Sequence, residues 1–364
     1  MSKYNIFKQL RRLYMSNFLS NISIAGAAWV LLLVSDGYSL IQVGLAETVF
    51  HIVSLTAEIP SGVFADVFGR KKSLILGCLC GIVSSVIRGF TTGFPLVLIS
   101  IAMSALSYNF ASGSDSALAY DSLAEEGKTD MYDPYIARQT RIYRISNGLA
   151  TLMAGLGVMI GTRNAQILSI GTGLVNLMVL NGLKENKIIS NARNISIRKR
   201  VRETYLGSIG FLRGNRKAAG LIFRNAAVGA IDVLLLFFLQ AKLPMTGIPS
   251  WSLGPLLFIM SMGGVLGAFA SGRSGKISLT KLFAVCMTLA LAGLLSEFTG
   301  IWYLMTLGGI LTAFADDLLQ IRSDIALNEM VPAKQRATLI SVNSFCFSLV
   351  MIVMSPLAGF IFSL

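Results

Sequence analysis

Glu47, His51, Ser54 and Glu58 are spaced by four, three and four residues, the interval at which helical side chains fall on one face. They interrupt an otherwise apolar run from Leu40 to Ala65. His51 is the only histidine of the chain, and imidazole is the side chain whose charge changes near neutral pH. A carboxylate four residues away favours its protonated form. The spacing reads either as a proton relay through Glu47 and His51 or as a polar seam satisfied against a neighbouring helix, with Glu58 nearer the inner surface as part of a gate. Asp232 is a second such group, about thirteen residues and so roughly 20 Å into another apolar run at 1.5 Å per residue. With Asn225, Gly229 and Gln240 it makes a second polar stripe. It is the candidate site for a cation or proton, the alternative being a hydrogen bond between helices.

These groups need a scaffold that buries them, and the composition says what kind. Of 364 residues, 54% are hydrophobic and 13% charged, with mean hydropathy +0.68; the charged share is about half the roughly 25% of a soluble domain. A water-soluble globule is excluded. Apolar runs long enough to cross the roughly 30 Å hydrocarbon core as helices recur along the chain, which makes it an all-α polytopic membrane protein. Eleven spans are read: Leu13 to Val34, Leu40 to Ala65, Ser73 to Gly89, Phe94 to Leu118, Tyr143 to Ile160, Ala165 to Leu183, Ala218 to Leu239, Leu253 to Ser271, Leu279 to Leu295, Gly300 to Leu319 and Ala337 to Phe362.

The formal net charge of +13 suggests nucleic acid as partner only until the basic residues are placed. They crowd into alternate loops, on the side of Lys3, Lys8, Arg11 and Arg12, whereas the opposite loops carry only Arg88, Arg163 and Lys242. Basic flanks resist translocation, so the N-terminus is expected in the cytoplasm and the partner is the lipid bilayer of the inner (plasma) membrane. The cluster from Ile195 to Arg202 reads as a linker held against anionic lipid. Cys78, Cys80, Cys286 and Cys346 lie inside apolar runs and imply neither a disulfide framework nor zinc. No cleaved signal peptide is expected.

Asn17, Ser20 and Asn21 in the first span and Asn109 and Ser112 in the fourth offer neutral contacts to a solute, as do Asn225 and Gln240, though small polar residues also serve as glue between helices. Trp29, Tyr108, Phe110 and Phe237 could line an apolar pocket. Asp115, Asp121, Arg138, Arg141 and Arg144 gather at the inner ends of the fourth and fifth spans. Asp316, Asp317, Arg322, Asp324 and Arg336 gather correspondingly in the other half. Salt bridges between helices are expected in both groups, favouring an outward-facing state and forming a two-state latch.

The two groups belong to a wider repetition. Gly62-x-x-x-Asp66-x-x-Gly69-Arg70-Lys71-Lys72 follows the second span, and after the eighth comes Gly267-x-x-x-Ser271-x-x-Ser274-x-Lys276. The offset of about two hundred residues is that of two similar halves. On the Gly62 to Lys72 motif, the preceding Glu58-Ile-Pro60 and the run from Ser114 to Leu123, the chain resembles the major facilitator superfamily, within it a bacterial branch of efflux permeases. The resemblance implies a two-bundle, 6+6 pseudo-symmetric fold. Residues 1–183 form the first six-helix bundle, 184–217 a basic cytoplasmic linker and 218–364 the second bundle, of which five helices are read and the twelfth span is expected to be missing.

In the motif, Gly62 is expected to admit a neighbouring helix closely and Gly69 to form the tight turn. Asp66 is expected to pair with Arg70 and to accept from the free amides of a helix start; Lys71 completes the basic turn. The resemblance implies that this cluster meets the start of the eleventh helix near Arg336. It also implies a secondary transporter for a small organic, amphiphilic solute, working by alternating access. Proton-coupled efflux is the leading mode. The fifth span lacks the Gly-Pro pair of the antiporter branch, and an uncoupled facilitator or importer, or a non-transporting partner protein, remain alternatives. With no Walker loop, zinc spacing or nucleophile with its base, neither an enzyme nor a cofactor is expected, and a monomer suffices.

Overall fold

The computed structural model describes residues 5–185, 206–207, 209–330 and 336–364, without the side chains of 336–338 and 340. The linker cluster from Ile195 to Arg202 and the side chain of Arg336 therefore lie outside the described residues. Every regular element described is helical. In chain order these are α1 (Ile6–Asn21), α2 (Ile24–Ala27), α3 (Trp29–Ser35), α4 (Leu40–Phe68), α5 (Arg70–Phe90), α6 (Phe94–Ala111), α7 (Ser114–Glu125), α8 (Tyr132–Leu152), α9 (Ala154–Asn181), α10 (Arg216–Met245), α11 (Leu253–Arg273), α12 (Leu279–Ser296), α13 (Trp302–Met330) and α14 (Arg336–Ile361). Eight helical stretches are long and apolar enough to cross a membrane, nine if the pair Thr129–Leu152 and Ala154–Asn181, bent by 77°, is one span. The protein is a multi-pass helical membrane protein.

All eleven apolar runs are helical, but three are interrupted. The first, expected as one span from Leu13 to Val34, is split into α1, α2 and α3. The split is local chemistry: the Ser23 hydroxyl accepts from the Gly26 amide at 3.0 Å, starting a new helix instead of continuing the old one. Gly113, at φ +70°, ends the run that α6 began. The bend at Met153 falls inside the expected fifth span, and Gly161, at φ +80°, divides α9 near the expected boundary. Only glycine takes such backbone angles without strain.

Of the described residues, those within Met1–Ala27, Ile52–Met153 and Ile160–Val201 form one compact unit. Its core joins Leu10 and Leu13 of α1, Leu74 of α5, Leu118 and Leu123 of α7, Tyr135 of α8 and Leu180 of α9. Gln9, 2% exposed, ties the ends of this unit: its amide donates to the Lys184 carbonyl at 2.9 Å and accepts from the Lys184 amide at 3.0 Å.

Residues within Ala28–His51, Ala154–Met159 and Arg202–Leu364 form the second unit. Here α10 is the spine, buried on most of its surface, with Ala226, Val228, Ile231, Leu234 and Leu235 all inside. Cys286, Ala290, Ala315 and Leu319 complete one core around it, and Ile222, Val342 and Cys346 another. Small residues set the tightest helix contacts, as expected where lipid gives no hydrophobic drive between helices. A Cβ on Gly263 of α11 would collide with the Ile310 carbonyl oxygen, and one on Gly267 with that of Phe314. Gly44 of α4 lies equally close to the Ser355 carbonyl of α14.

Gly263→Ala is accordingly expected to lower stability by about 1–3 kcal/mol, the usual cost of overpacking. Gly272→Ala in the same helix, where a Cβ meets nothing within 4 Å, should not. Thermal unfolding of the two purified variants checks this; equal melting temperatures would contradict the packing. Many large apolar side chains point outward, among them Met178, Phe269, Leu295 and Val353, as contact with hydrocarbon requires.

Candidate functional site

Glu47 and His51 meet within the second unit. Glu47 and His51, 9% and 7% exposed, face each other across one turn of α4, with Glu47 Oε1 at 3.2 Å from His51 Nε2. His51 Nδ1 lies 3.4 Å from the Ser348 Oγ of α14. The rings of Phe50 and Phe347 stand edge-on at 5.5 and 5.8 Å. This carboxylate, imidazole and hydroxyl sequence is satisfied in both charge states of the histidine. When protonated, the ring donates from Nε2 to Glu47 and from Nδ1 to Ser348; when neutral, Nδ1 accepts from the Ser348 hydroxyl while Nε2–H still donates to Glu47. A proton can come and go without orphaning a buried partner.

Asp232 lies on α10 within hydrogen-bond reach of the Thr312 hydroxyl of α13. The carboxylates of Asp316 and Asp317, on α13, are close enough to act electrostatically on it or on each other. Being consecutive on one helix, those two diverge. Asp316 sits against Gly229 of α10, its Oδ1 3.0 Å from where a Cβ would stand, whereas Asp317 packs against Gly264 of α11. Asp316 lines a cavity of about 290 Å³ together with Asn225, Gly229, Gln320, Asn343 and Phe347. Gln240 is buried too, its Oε1 without a partner among the described residues, but it does not line this cavity.

The first unit has its own polar cavity, of about 410 Å³, lined by Asn17, Ser20, Asn21, Tyr108, Ser112 and Asp115 among others. Asn17 Oδ1 is buried there without a described partner, while Asn21 Nδ2 donates to the Asn17 carbonyl at 2.7 Å. Asn109, expected beside them, is used elsewhere. It accepts from the Ser54 hydroxyl at 2.9 Å and donates to the Ser54 carbonyl at 2.7 Å, cross-linking α4 and α6. Of the aromatic candidates only Tyr108 lines the cavity; Trp29 packs edge-on against Phe237 at 5.2 Å and Phe110 against Phe64 at 5.4 Å.

The signature turn is partly as expected. Asp66 Oδ1 pairs with Arg70 Nη2 at 2.8 Å, and Gly69 stands at φ +108°. Two features differ. A Cβ on Gly62 would meet nothing within 4 Å, so close helix approach does not explain that glycine. And the amides that open α5 donate to Glu185, which accepts from Arg70 N at 3.0 Å and Lys71 N at 2.9 Å. The Lys71 ammonium meanwhile donates to the Asn181 carbonyl at 2.8 Å. Glu185 was hidden in the sequence by its place at the edge of a basic stretch. Glu185→Ala is expected to cost about 0.5–2 kcal/mol, the range of a lost helix cap, and Gly69→Ala more, because it adds a left-handed backbone to a collision with Glu185. Equal melting temperatures for the two would contradict this.

Among the described side chains, Asp115, Arg138, Arg141 and Arg322 of the two charged groups meet partners other than one another. Asp115 accepts from its neighbouring amide, Ser116 N, and from Gln139 Nε2, both at 2.7 Å. The break at Gly113 turns it into the first residue but one of a new helix, where a carboxylate satisfies local amides. Arg138 lies over the Tyr14 ring at 4.9 Å, Arg141 donates to the Ala137 carbonyl, and Arg144 is exposed. Asp121 is half-buried, within electrostatic range of Arg70. In the other half Arg322 donates to the Gly275 carbonyl at 3.3 Å, Asp324 is half-buried without an ion-pair partner among the described residues, and Asp316 faces the cavity. Glu58 is half-buried, with no ion pair among the described residues. One ion pair went unforeseen: Lys242 Nζ holds Glu297 Oε1 at 3.0 Å, with the glutamate side chain 2% exposed.

Solved structures share this architecture. The chain aligns with a variant of the nucleoside transporter NupG at TM-score 0.76, over 99% of this chain and 96% of that one, with 13% identity. It aligns with a D-xylose-proton symporter at TM-score 0.67, over 97% and 89%, with 14% identity. Its fold is that of the major facilitator superfamily. Among curated proteins, the MFS-type transporter YxaM of Bacillus subtilis (strain 168) is 33% identical over 114 residues, which take in 31% of this chain and 27% of YxaM. No family model matches the sequence. The major-facilitator resemblance carried by the Gly62 to Lys72 motif thus holds for the fold.

Proposed function

We propose that this protein is a secondary transporter that carries a small organic solute across the inner (plasma) membrane by alternating access. Its N-terminus lies in the cytoplasm, it works as a monomer, and residues 1–183 and 218–364 act as its two bundles. Protons drive it, entering as solute leaves, through Glu47, His51 and Asp232. The observation that carries this reading is the Glu47, His51 and Ser348 chain, which buries ionisable groups in apolar helices at a cost of several kcal/mol yet stays hydrogen-bonded in both charge states. Each unit also presents a polar cavity within helices that face lipid elsewhere. The gradient supplies about 2.3 kcal/mol per charge per 100 mV and about 1.4 kcal/mol per pH unit.

The test is flux into proteoliposomes, offering nucleosides, D-xylose and amphiphilic amines, with and without an acidic lumen. Uptake of at least one solute should require the acidic lumen, collapse on adding a protonophore, and fall at least about tenfold in His51→Gln, one pH unit's worth of driving force. Uptake indifferent to the gradient would establish an uncoupled facilitator instead, and no uptake at all would remove the transport reading.

A further inference from the structure

The cavity beside α10, α13 and α14 has a chemistry that neither the fold nor the relay explains. Asp316 presents a carboxylate to it and has no ion-pair partner among the described residues; the charges that bear on it are other carboxylates, Asp232 and Asp317. Asn225, only 9% exposed, lines the same cavity with its Oδ1 unpartnered among the described residues. Asn225 lines the cavity by other atoms of the residue, because its Oδ1 is turned away from accessible space. The ring of Phe347 lines the same cavity, and its edge lies near Gly229 beside the Asp316 carboxylate.

We propose that this cavity binds an organic monocation: an ammonium group with an apolar substituent, its charge met by Asp316 and its apolar part lying on Phe347. A carboxylate with no cation beside it among the described residues selects against anions and is poorly met by a neutral solute, whereas an ammonium forms a charge-assisted hydrogen bond and gains from an aromatic face. A bare metal ion is a worse fit. No group of three or more acidic, histidine or cysteine side chains able to hold a metal occurs among the described residues, and about 290 Å³ is far more room than one ion fills. Gly229 is part of the design, since a Cβ there would reach the Asp316 carboxylate. The inference rests on the transporter reading and gives it a substrate class.

The test is equilibrium binding of radiolabelled phenethylammonium to the purified full-length chain in lipid nanodiscs, against neutral phenylpropanol and anionic phenylpropionate. Saturable binding of the cation, at least about tenfold tighter than the alcohol, is expected. Asp316→Asn should remove that preference, and Asp316→Glu, which keeps the charge, should retain it, so that a fold defect is told apart from a lost counter-ion. Equal binding of cation and alcohol, an undiminished preference in Asp316→Asn, or no saturable binding of the cation would each overturn the assignment. Binding needs no gradient and no flux. Cation binding in a protein that moves no solute would therefore sink the transport reading and spare the site, and flux of a neutral solute without cation binding would do the reverse.

Discussion

In Asp232→Asn proteoliposomes, accumulation of solute against its gradient is expected to disappear, while equilibration down the gradient continues. With one proton exchanged per solute, each pH unit supports about a tenfold accumulation ratio; the amide cannot take up a proton, so the ratio should fall to one at every pH difference. The substitution keeps the size and the hydrogen-bond reach to Thr312, which makes loss of the fold an unsuitable explanation for a selective loss of coupling. The measurement is the steady-state ratio of internal to external solute over a series of imposed pH differences. A ratio that still rises with the pH difference would remove Asp232 from the coupling path and leave Glu47 and His51 to carry it.

The second large effect concerns stability. Lys242 Nζ is the partner of a glutamate whose side chain is 2% exposed and whose second oxygen, Oε2, has none among the described residues. Breaking such a pair by removing one member strands a buried charge and typically costs about 3–5 kcal/mol, whereas replacing both members by apolar groups of similar volume is often neutral. Lys242→Met should therefore unfold at a markedly lower temperature than the parent, and the double variant carrying Glu297→Met as well should recover most of the loss. Additive losses in the two single variants and the double one would show that the two side chains do not depend on each other.

The helices and their apolar character are legible because a hydrocarbon environment demands long unbroken apolar runs, and all eleven runs are helical. The breaks are less legible. Ser23, Gly113 and Gly161 are ordinary residues in a helical pattern until the backbone angle they adopt is known, and the break between α1 and α2 follows from a serine cap that composition does not reveal. The Glu47 and His51 pair can be read from spacing alone because both lie on one helix. Its third member, Ser348, is nearly three hundred residues away and needs α14 folded against α4. Charge clusters mislead for a related reason: proximity in sequence predicts salt bridges among Asp115, Arg138 and Arg141, yet each finds a nearer partner, an amide, an aromatic ring or a carbonyl. Asp316 was readable as more than a gate residue from its place between Thr312 and Gln320, four residues to either side on one face of α13. Gly62 shows the opposite limit, a motif residue whose packing role the structure does not supply.

The central claim, that protons and solute cross by linked steps through groups buried in these helices, is tested most directly by recording proton movement itself. Proteoliposomes loaded with a pH-sensitive dye and given a transported solute, with no pre-set pH gradient and with the membrane potential clamped, should acidify or alkalinise in step with solute flux. The proton should move opposite to the solute, with the signal absent in Asp232→Asn. Solute flux of the same size with the lumenal pH unchanged would contradict it.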